Sequence, residues 1–262
     1  MRTGLTLAIL ISSVSLNAPS NAVELIPHQA VYRMSLKGAE ANSGVAGAEG
    51  AMLYKFEEAC DAWTSETKVF LKLLYVGGKE VESTWSFVSW ESKDDLAYRF
   101  RVRQSRDGTP VEYLQGTVSR NKVEGAAKVD FTSPDGTQME LPQGTMFPTH
   151  HLLALIAEGK KGTLTYSRTV FDGASLDNPY TINALITPGA TAKSNDESID
   201  ERSFKHIRMA FFPISSRRAF PDFELGVDYR ANGIANHIVQ DFGGFSLDLM
   251  PDTIELLERP TC

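Results

Sequence analysis

Trp63-Thr64-Ser65-Glu66-Thr67-Lys68-Val69-Phe70-Leu71-Lys72-Leu73-Leu74-Tyr75 decides the fold class of this chain. Side chains alternate faces along an extended backbone, so Trp63, Ser65, Thr67, Val69, Leu71, Leu73 and Tyr75 form one side of a long strand. The same period of two recurs on either side of it. Ala30, Tyr32, Met34 and Leu36 alternate with Val31, Arg33, Ser35 and Lys37. Leu96, Tyr98, Phe100 and Val102 oppose Arg99, Arg101 and Arg103. Alternation of this kind marks half-buried strands, and it predicts further strands over 51–58, 81–91, 110–119, 122–131, 163–171, 180–187, 204–212, 223–231, 236–242 and 245–258. Pro251 is expected to divide the last into two short strands. The dipeptides Gly77-Gly78, Asp107-Gly108, Asp135-Gly136, Asp172-Gly173, Asn232-Gly233 and Gly243-Gly244 supply turns between them.

Residues 149–158 carry the helical pattern. They follow Pro148, and Leu152, Leu155 and Ile156 share a face with Leu153 beside them. Thr149 is the expected N-cap and Gly159 the expected left-handed C-terminal cap. Such a helix serves to plug or cover a sheet, or else acts as a lid. The stretch 187–203 has almost no apolar content and is expected to be an exposed loop. No repeat or linker divides the chain, so residues 23–262 are read as a single all-β domain. That many antiparallel strands leave long edges if the sheet stays flat. A barrel-like curl, half-barrel or spiral is therefore expected.

Residues 1–22 read as a signal peptide. Arg2 provides the basic start, Leu5 to Leu16 the apolar stretch, and Ser20-Asn21-Ala22 the small residues before cleavage after Ala22. A cut after Ala18 would place Pro19 next, which signal peptidases disfavour. The apolar run is shorter than the roughly 20 residues that span a bilayer. The expected location is the periplasm, with no transmembrane segment in the mature chain. The formal charge is −7, and Arg2 is the one charge in the leader, so an acidic balance survives cleavage. Nucleic-acid binding, which needs a basic footprint, is not expected. In an oxidising compartment the two cysteines, Cys60 and Cys262, read as a disulfide. Two free thiols or a redox pair are the competing readings, but there is no Cys-x-x-Cys. Closing so long a loop is worth roughly 5 kcal/mol in the chain-entropy account.

Reaction chemistry is thin. His150-His151 is the one histidine pair, and adjacent helical residues point about 100° apart, which suits no shared metal ion. No Gly-x-Ser-x-Gly, His-Glu-x-x-His or Gly-rich phosphate loop occurs, so no catalytic residue, metal or cofactor is assigned. The scattered acids could form the carboxylate pair of a glycan or ester hydrolase only if a cleft brought two of them together. Arg99, Arg101 and Arg103 line one face of a strand, and Arg217-Arg218 follow Pro213. They read as a solvated outer face with neighbouring acids, or as a basic patch for an anionic ligand or protein partner. Trp63, Trp85, Trp90, Phe70, Phe87 and Phe100 all lie in strands and are expected on the concave side of a curved sheet. Candidate binding residues are thus Trp63, Trp85, Arg99, Arg101, Arg103, Arg217 and Arg218.

Several segments, in order, carry a resemblance. They are Leu25-Ile26-Pro27-His28-Gln29-Ala30-Val31-Tyr32, Cys60-Asp61-Ala62-Trp63, Trp90-Glu91-Ser92-Lys93 and Leu96-Ala97-Tyr98-Arg99-Phe100. Leu141-Pro142-Gln143-Gly144-Thr145-Met146-Phe147-Pro148-Thr149-His150 follows. The set closes with Pro221-Asp222-Phe223-Glu224-Leu225, Asn232-Gly233-Ile234, Asp241-Phe242-Gly243-Gly244-Phe245-Ser246-Leu247 and the terminal Cys262. The chain resembles the EipB-like cell-envelope integrity proteins of alphaproteobacteria over essentially its whole mature length. Asp241-Phe242 stands where that pattern has Asp-Tyr. The resemblance implies a periplasmic β-spiral with a helix against its inner face, and a disulfide mapping onto Cys60 and Cys262. It also implies a role in envelope maintenance without an established enzymatic activity. An exported, disulfide-closed β domain with no reaction centre is expected to serve that role by binding a protein partner or by scaffolding. A carrier of lipid or lipoprotein acyl chains is the alternative expectation.

Overall fold

The computed structural model describes residues 23–189 and 205–262. The predicted leader, and most of the polar stretch predicted as a loop over 187–203, lie outside the described residues. The first eight strands are β1 (His28–Ala39), β2 (Val45–Glu58), β3 (Ala62–Tyr75), β4 (Glu80–Ser92), β5 (Ala97–Arg106), β6 (Thr109–Ser119), β7 (Ala127–Ser133) and β8 (Gln138–Leu141). The helix α1 (Pro148–Lys161) follows. Then come β9 (Thr165–Val170), β10 (Tyr180–Pro188), β11 (Lys205–Pro213), β12 (Phe223–Tyr229), β13 (Ala235–Asp241) and β14 (Phe245–Leu256).

Among the described residues, all fourteen strands form one sheet, ordered β8-β7-β6-β5-β4-β3-β2-β1-β14-β13-β12-β11-β10-β9, with every pair antiparallel. The order follows from the chain path. Turns of two to seven residues keep successive strands adjacent from β1 out to β8. The segment carrying α1 then takes the chain to the opposite edge, and a second meander returns it until β14 pairs with β1, from His28↔Leu256 to Ala39↔Phe245. The two outer edges must lie within reach of one connection, so the sheet curls. The segment between β8 and α1 meets the β9 edge at a seam. The Met146 N–H donates to the Thr169 carbonyl at 2.9 Å, and the Phe171 N–H donates to the Met146 carbonyl at 3.0 Å. One parallel bridge does not complete a barrel. The result is the curled, unclosed antiparallel sheet expected from the alternation.

The concave side is filled. Tyr32, Met34, Ile207, Leu247 and Leu249 pack there with Leu155 of α1. Beside the seam, Tyr98 stacks on Phe147 at 5.0 Å, and Phe100 and Phe171 meet edge to face at 5.5 Å. Full burial of each large side chain contributes about 1.5–3 kcal/mol. The Tyr98 hydroxyl donates to the Asp172 carbonyl at 2.8 Å. Gly173 makes this crossing possible: its φ is 72°, and a Cβ there would collide with the Phe100 ring.

Several boundaries differ from expectation. The helix starts one residue earlier and runs three residues longer, from Pro148 to Lys161. Its N-cap is Phe147, not Thr149. Its left-handed C-cap is Gly162 at φ 82°, while Gly159 is buried within the helix against Ile186. Residues 122–126 form a turn in place of strand, and the short β8 fell below what periodicity detects. Pro251 does not divide the last strand. The register passes from Val31↔Thr253 to Tyr32↔Pro251, so a bulge at Asp252 accommodates the missing N–H of proline. Phe70 and Trp90 face outward, on the opposite parity from Val69 and Glu91, and do not line the concave side.

Cys60, in the β2–β3 turn, and Cys262 are joined by a disulfide with Cα atoms 5.8 Å apart. The final residues reach it by running past the start of β1, where the Leu257 N–H donates to the Pro27 carbonyl at 2.9 Å.

Candidate binding surface

The outward face of β4–β6 carries an arginine stripe whose cross-strand neighbours are uncharged. Arg99 sits between Trp90 and Thr117, Arg101 between Val88 and Gln115, and Arg103 between Ser86 and Tyr113. Like charges two residues apart on one face repel, and an acid directly opposite is the usual relief. None stands opposite these three, and among the described residues no carboxylate pairs with them. Instead the Arg99 guanidinium lies 4.7 Å from the centre of the Trp90 ring, and that of Arg103 lies 5.5 Å from Tyr113. Each ring holds its cation in place without neutralising it. The expected neighbouring acids are therefore not beside the stripe.

Next to Arg103 the outer face sinks into an apolar trough of about 750 Å³ crossing β1 to β6. One wall follows the register row Val31, Leu53, Lys68, Ser86, Arg103 and Tyr113. The adjacent row contributes Ala51, Phe70, Thr84 and Ser105. Small side chains at Ala51, Thr84, Ser86 and Ser105 lower the floor between larger neighbours. Gly50 allows β2 to press against β3 beneath it, since a Cβ there would collide with the Phe70 carbonyl oxygen.

A second cluster lies inside, where α1 begins. Glu91 is 1 % exposed, on the inward face of β4. Its carboxyl accepts the Thr149 N–H at 2.8 Å and the His150 N–H at 2.9 Å, and lies 2.5 Å from His150 Nδ1. Two of the helix's unpaired N–H groups are satisfied in this way, and the acid faces the positive end of the helix dipole. Arg120 pairs with Asp95, donates to the Thr145 carbonyl at 2.7 Å and covers Phe147 at 4.5 Å. Burial alone would lower the His150 pKa. The hydrogen bond and charge of Glu91, with the charge of Asp95, outweigh it and hold the imidazole above its ordinary value. His151 points the other way, into the core against Tyr166, and desolvation lowers its pKa to about 4. The two histidines thus diverge, as helical neighbours must. A third polar group crosses the outer face of the other meander. His206 Nδ1 lies 2.7 Å from Asp228, and His237 Nε2 lies 2.8 Å from Asp248, to which Lys37 donates at 3.1 Å.

The structure separates the residues singled out from the sequence. Arg99, Arg101 and Arg103 form the stripe. Trp63 lies on the inward face, edge-on to His150 at 5.3 Å, and belongs to the helix anchorage. Trp85 underlies the trough, but its ring turns inward and stacks on Phe87 at 5.6 Å. Arg217 and Arg218 lie in the β11–β12 connection, strands away from the stripe in sheet order, and Arg218 pairs with Asp222 at 3.2 Å. Glu91, Asp95 and Arg120 were missed. The available signal was an acid at Glu91 in the inward parity of Val81, Trp85 and Phe87.

A sheet curled around a helix and filled on its concave side, with a trough and three arginines lacking acid neighbours on its outer face, defines a β-spiral protein. The chain belongs to the EipB-like family, whose model matches residues 19–258. It is 24% identical over 235 residues to the cell envelope integrity protein EipB of Brucella abortus (strain 2308), covering 87% of this chain and 83% of that one. The crystal structure of a beta-barrel-like protein of domain of unknown function DUF1849, also from Brucella abortus, superposes with a TM-score of 0.83 at 22% identity, over 90% of this chain and all of that one.

Proposed function

We propose that this protein supports the integrity of the cell envelope without catalysing a reaction, by docking a protein partner on its outer face in the periplasm. The relative named for envelope integrity supports the role, and the exported-type leader at residues 1–22 supports the place. The observation that carries the mode of action is the arginine stripe with uncharged cross-strand neighbours. Three uncompensated cations on an acidic protein suit an acidic partner surface, and such a contact weakens with salt. A deletion strain is expected to be more sensitive to detergent and to cell-wall antibiotics than its parent. The wild-type gene should restore resistance, and the combined Arg99→Glu, Arg101→Glu, Arg103→Glu variant should not. A deletion strain as resistant as its parent would overturn the proposal.

A second reading is favoured by the trough: the protein binds a hydrophobic ligand, a lipid or an acyl chain. The trough, with Phe70 and Leu53 along it, is the apolar recess offered for such a ligand on the outer face. The concave side expected to cradle one is occupied by the core and α1. Lipid co-purifying with the protein, seen in native mass spectra, would support this reading.

A further inference from the structure

We infer that the outer trough takes one acyl chain carrying an acidic head, a long-chain carboxylate, with the head at Arg103 and the tail running toward β1. This deepens the hydrophobic-ligand reading and rests on it.

Width narrows the choice of occupant. The floor spans two neighbouring outward rows, whose members lie two residues apart on each strand, a spacing of about 6.7 Å. A helix, at about 10 Å or more, is too broad. Length suffices: from β5 to β1 there are four gaps of about 4.8 Å, roughly 19 Å. An extended peptide would fit the width but not the chemistry. The trough crosses the strands, so the ladder bonds beneath it already use the backbone N–H and C=O groups. The polar lining is sparse: Thr84, Ser86 and Ser105 bring hydroxyls, and Lys68, Arg103, Gln104 and Glu112 bring the remaining polar groups, too few to pair every amide along the trough. A peptide laid there would leave amide groups unpaired and desolvated, which opposes its binding. An acyl chain has no such groups, and a recess this narrow holds one chain, not two.

Charge sets the direction. At the β1 end Arg33 is bound to Asp252 at 2.5 Å, and midway Lys68 is bound to Glu66 at 2.7 Å. At the β5–β6 end Glu112 also lines the trough, but Arg103 and, next to it, Arg101 have no carboxylate paired with them among the described residues. The free positive charge therefore stands at one end of an apolar channel, which is the arrangement an amphiphilic anion requires.

The test uses the purified protein with tetradecanoate and with tetradecanol, which has the same chain and no charge. Calorimetry should show saturable 1:1 binding of tetradecanoate. Arg103→Gln should weaken it about 10- to 100-fold, the loss of one charge-assisted bond, and should leave tetradecanol unchanged. A photoreactive tetradecanoate should label residues 51–53 and 68–70 of the wild-type protein, a readout that depends on no variant folding. If the two amphiphiles bind equally and Arg103→Gln changes neither, the acidic head is wrong while the apolar site stands. If neither binds, both the inference and the hydrophobic-ligand reading fall. Labelling confined to other strands would overturn the location.

Discussion

Burying a carboxyl group on the inward face of a strand is unfavourable unless donors surround it. Glu91 has three within reach: two backbone N–H groups of α1 and the ring of His150. Glu91→Gln keeps the shape but turns an amide donor toward some of those donors. It should destabilise the protein by roughly 2–4 kcal/mol, read as a lower urea midpoint. The neighbouring histidines respond to pH in opposite senses. His151 has its folded pKa lowered to about 4, against about 6.5 when unfolded. Between those values the unfolded state binds more protons, so the stability contributed above pH 6.5 is lost as pH falls toward 4. At 1.36 kcal/mol per unit that is roughly 3 kcal/mol. The His151→Phe variant should show an acid limb flatter by about that amount in urea titrations between pH 4 and 8. His150, whose folded pKa is raised, acts conversely: its contribution is full below pH 6.5 and fades as pH rises through its folded value. The outward placement of Arg99, Arg101 and Arg103 was legible from alternation alone. That no acid faces them was not, because cross-strand neighbours depend on register, which one strand's pattern does not contain.

At the scale of elements, α1 shows where local sequence runs out. Its apolar positions were readable, and Leu155 and Ile156 are indeed buried. Its ends were not, because the N-terminal N–H groups are satisfied from β4, 58 residues away, rather than by a local cap. At the other end two glycines competed. Gly159 is needed for close approach to Ile186, while Gly162 holds the positive φ. Leu155→Ala should cost about 2–5 kcal/mol by opening a void in the core. Gly162→Ala should cost about 1 kcal/mol through backbone strain. Chemical denaturation of each variant checks both, and the order of the two effects matters more than their size. In β14 the bulge at Asp252 shifts the inward positions from Leu247, Leu249 and Pro251 to Ile254, a change of phase that no local rule reveals.

At the scale of the whole molecule, the disulfide fastens the last residue to the β2–β3 turn, 202 residues away in sequence. Cys60→Ser should lower the melting temperature of the oxidised protein by about 10–20 °C, since the chain-entropy stabilisation for so large a loop is roughly 5 kcal/mol. A melting temperature that stays put would mean that the β1–β14 ladder alone secures the chain end. Curling was legible from strand number, and the cysteine pairing from their count. The filled concave side was not, because it depends on how tightly the sheet winds around α1.

The strand order also carries a consequence for assembly in time. Twelve of the thirteen strand pairings join strands adjacent in sequence, and only β1–β14 joins the ends. Each meander can zip up hairpin by hairpin, whereas the β1–β14 ladder must wait for the closure of a loop nearly as long as the chain. Refolding is therefore expected to proceed as two fast half-spirals and one slow docking step. A chain refolding with its disulfide intact begins with that step tethered. Stopped-flow refolding of the oxidised protein should consequently outpace that of the reduced protein, with the difference confined to the slowest phase.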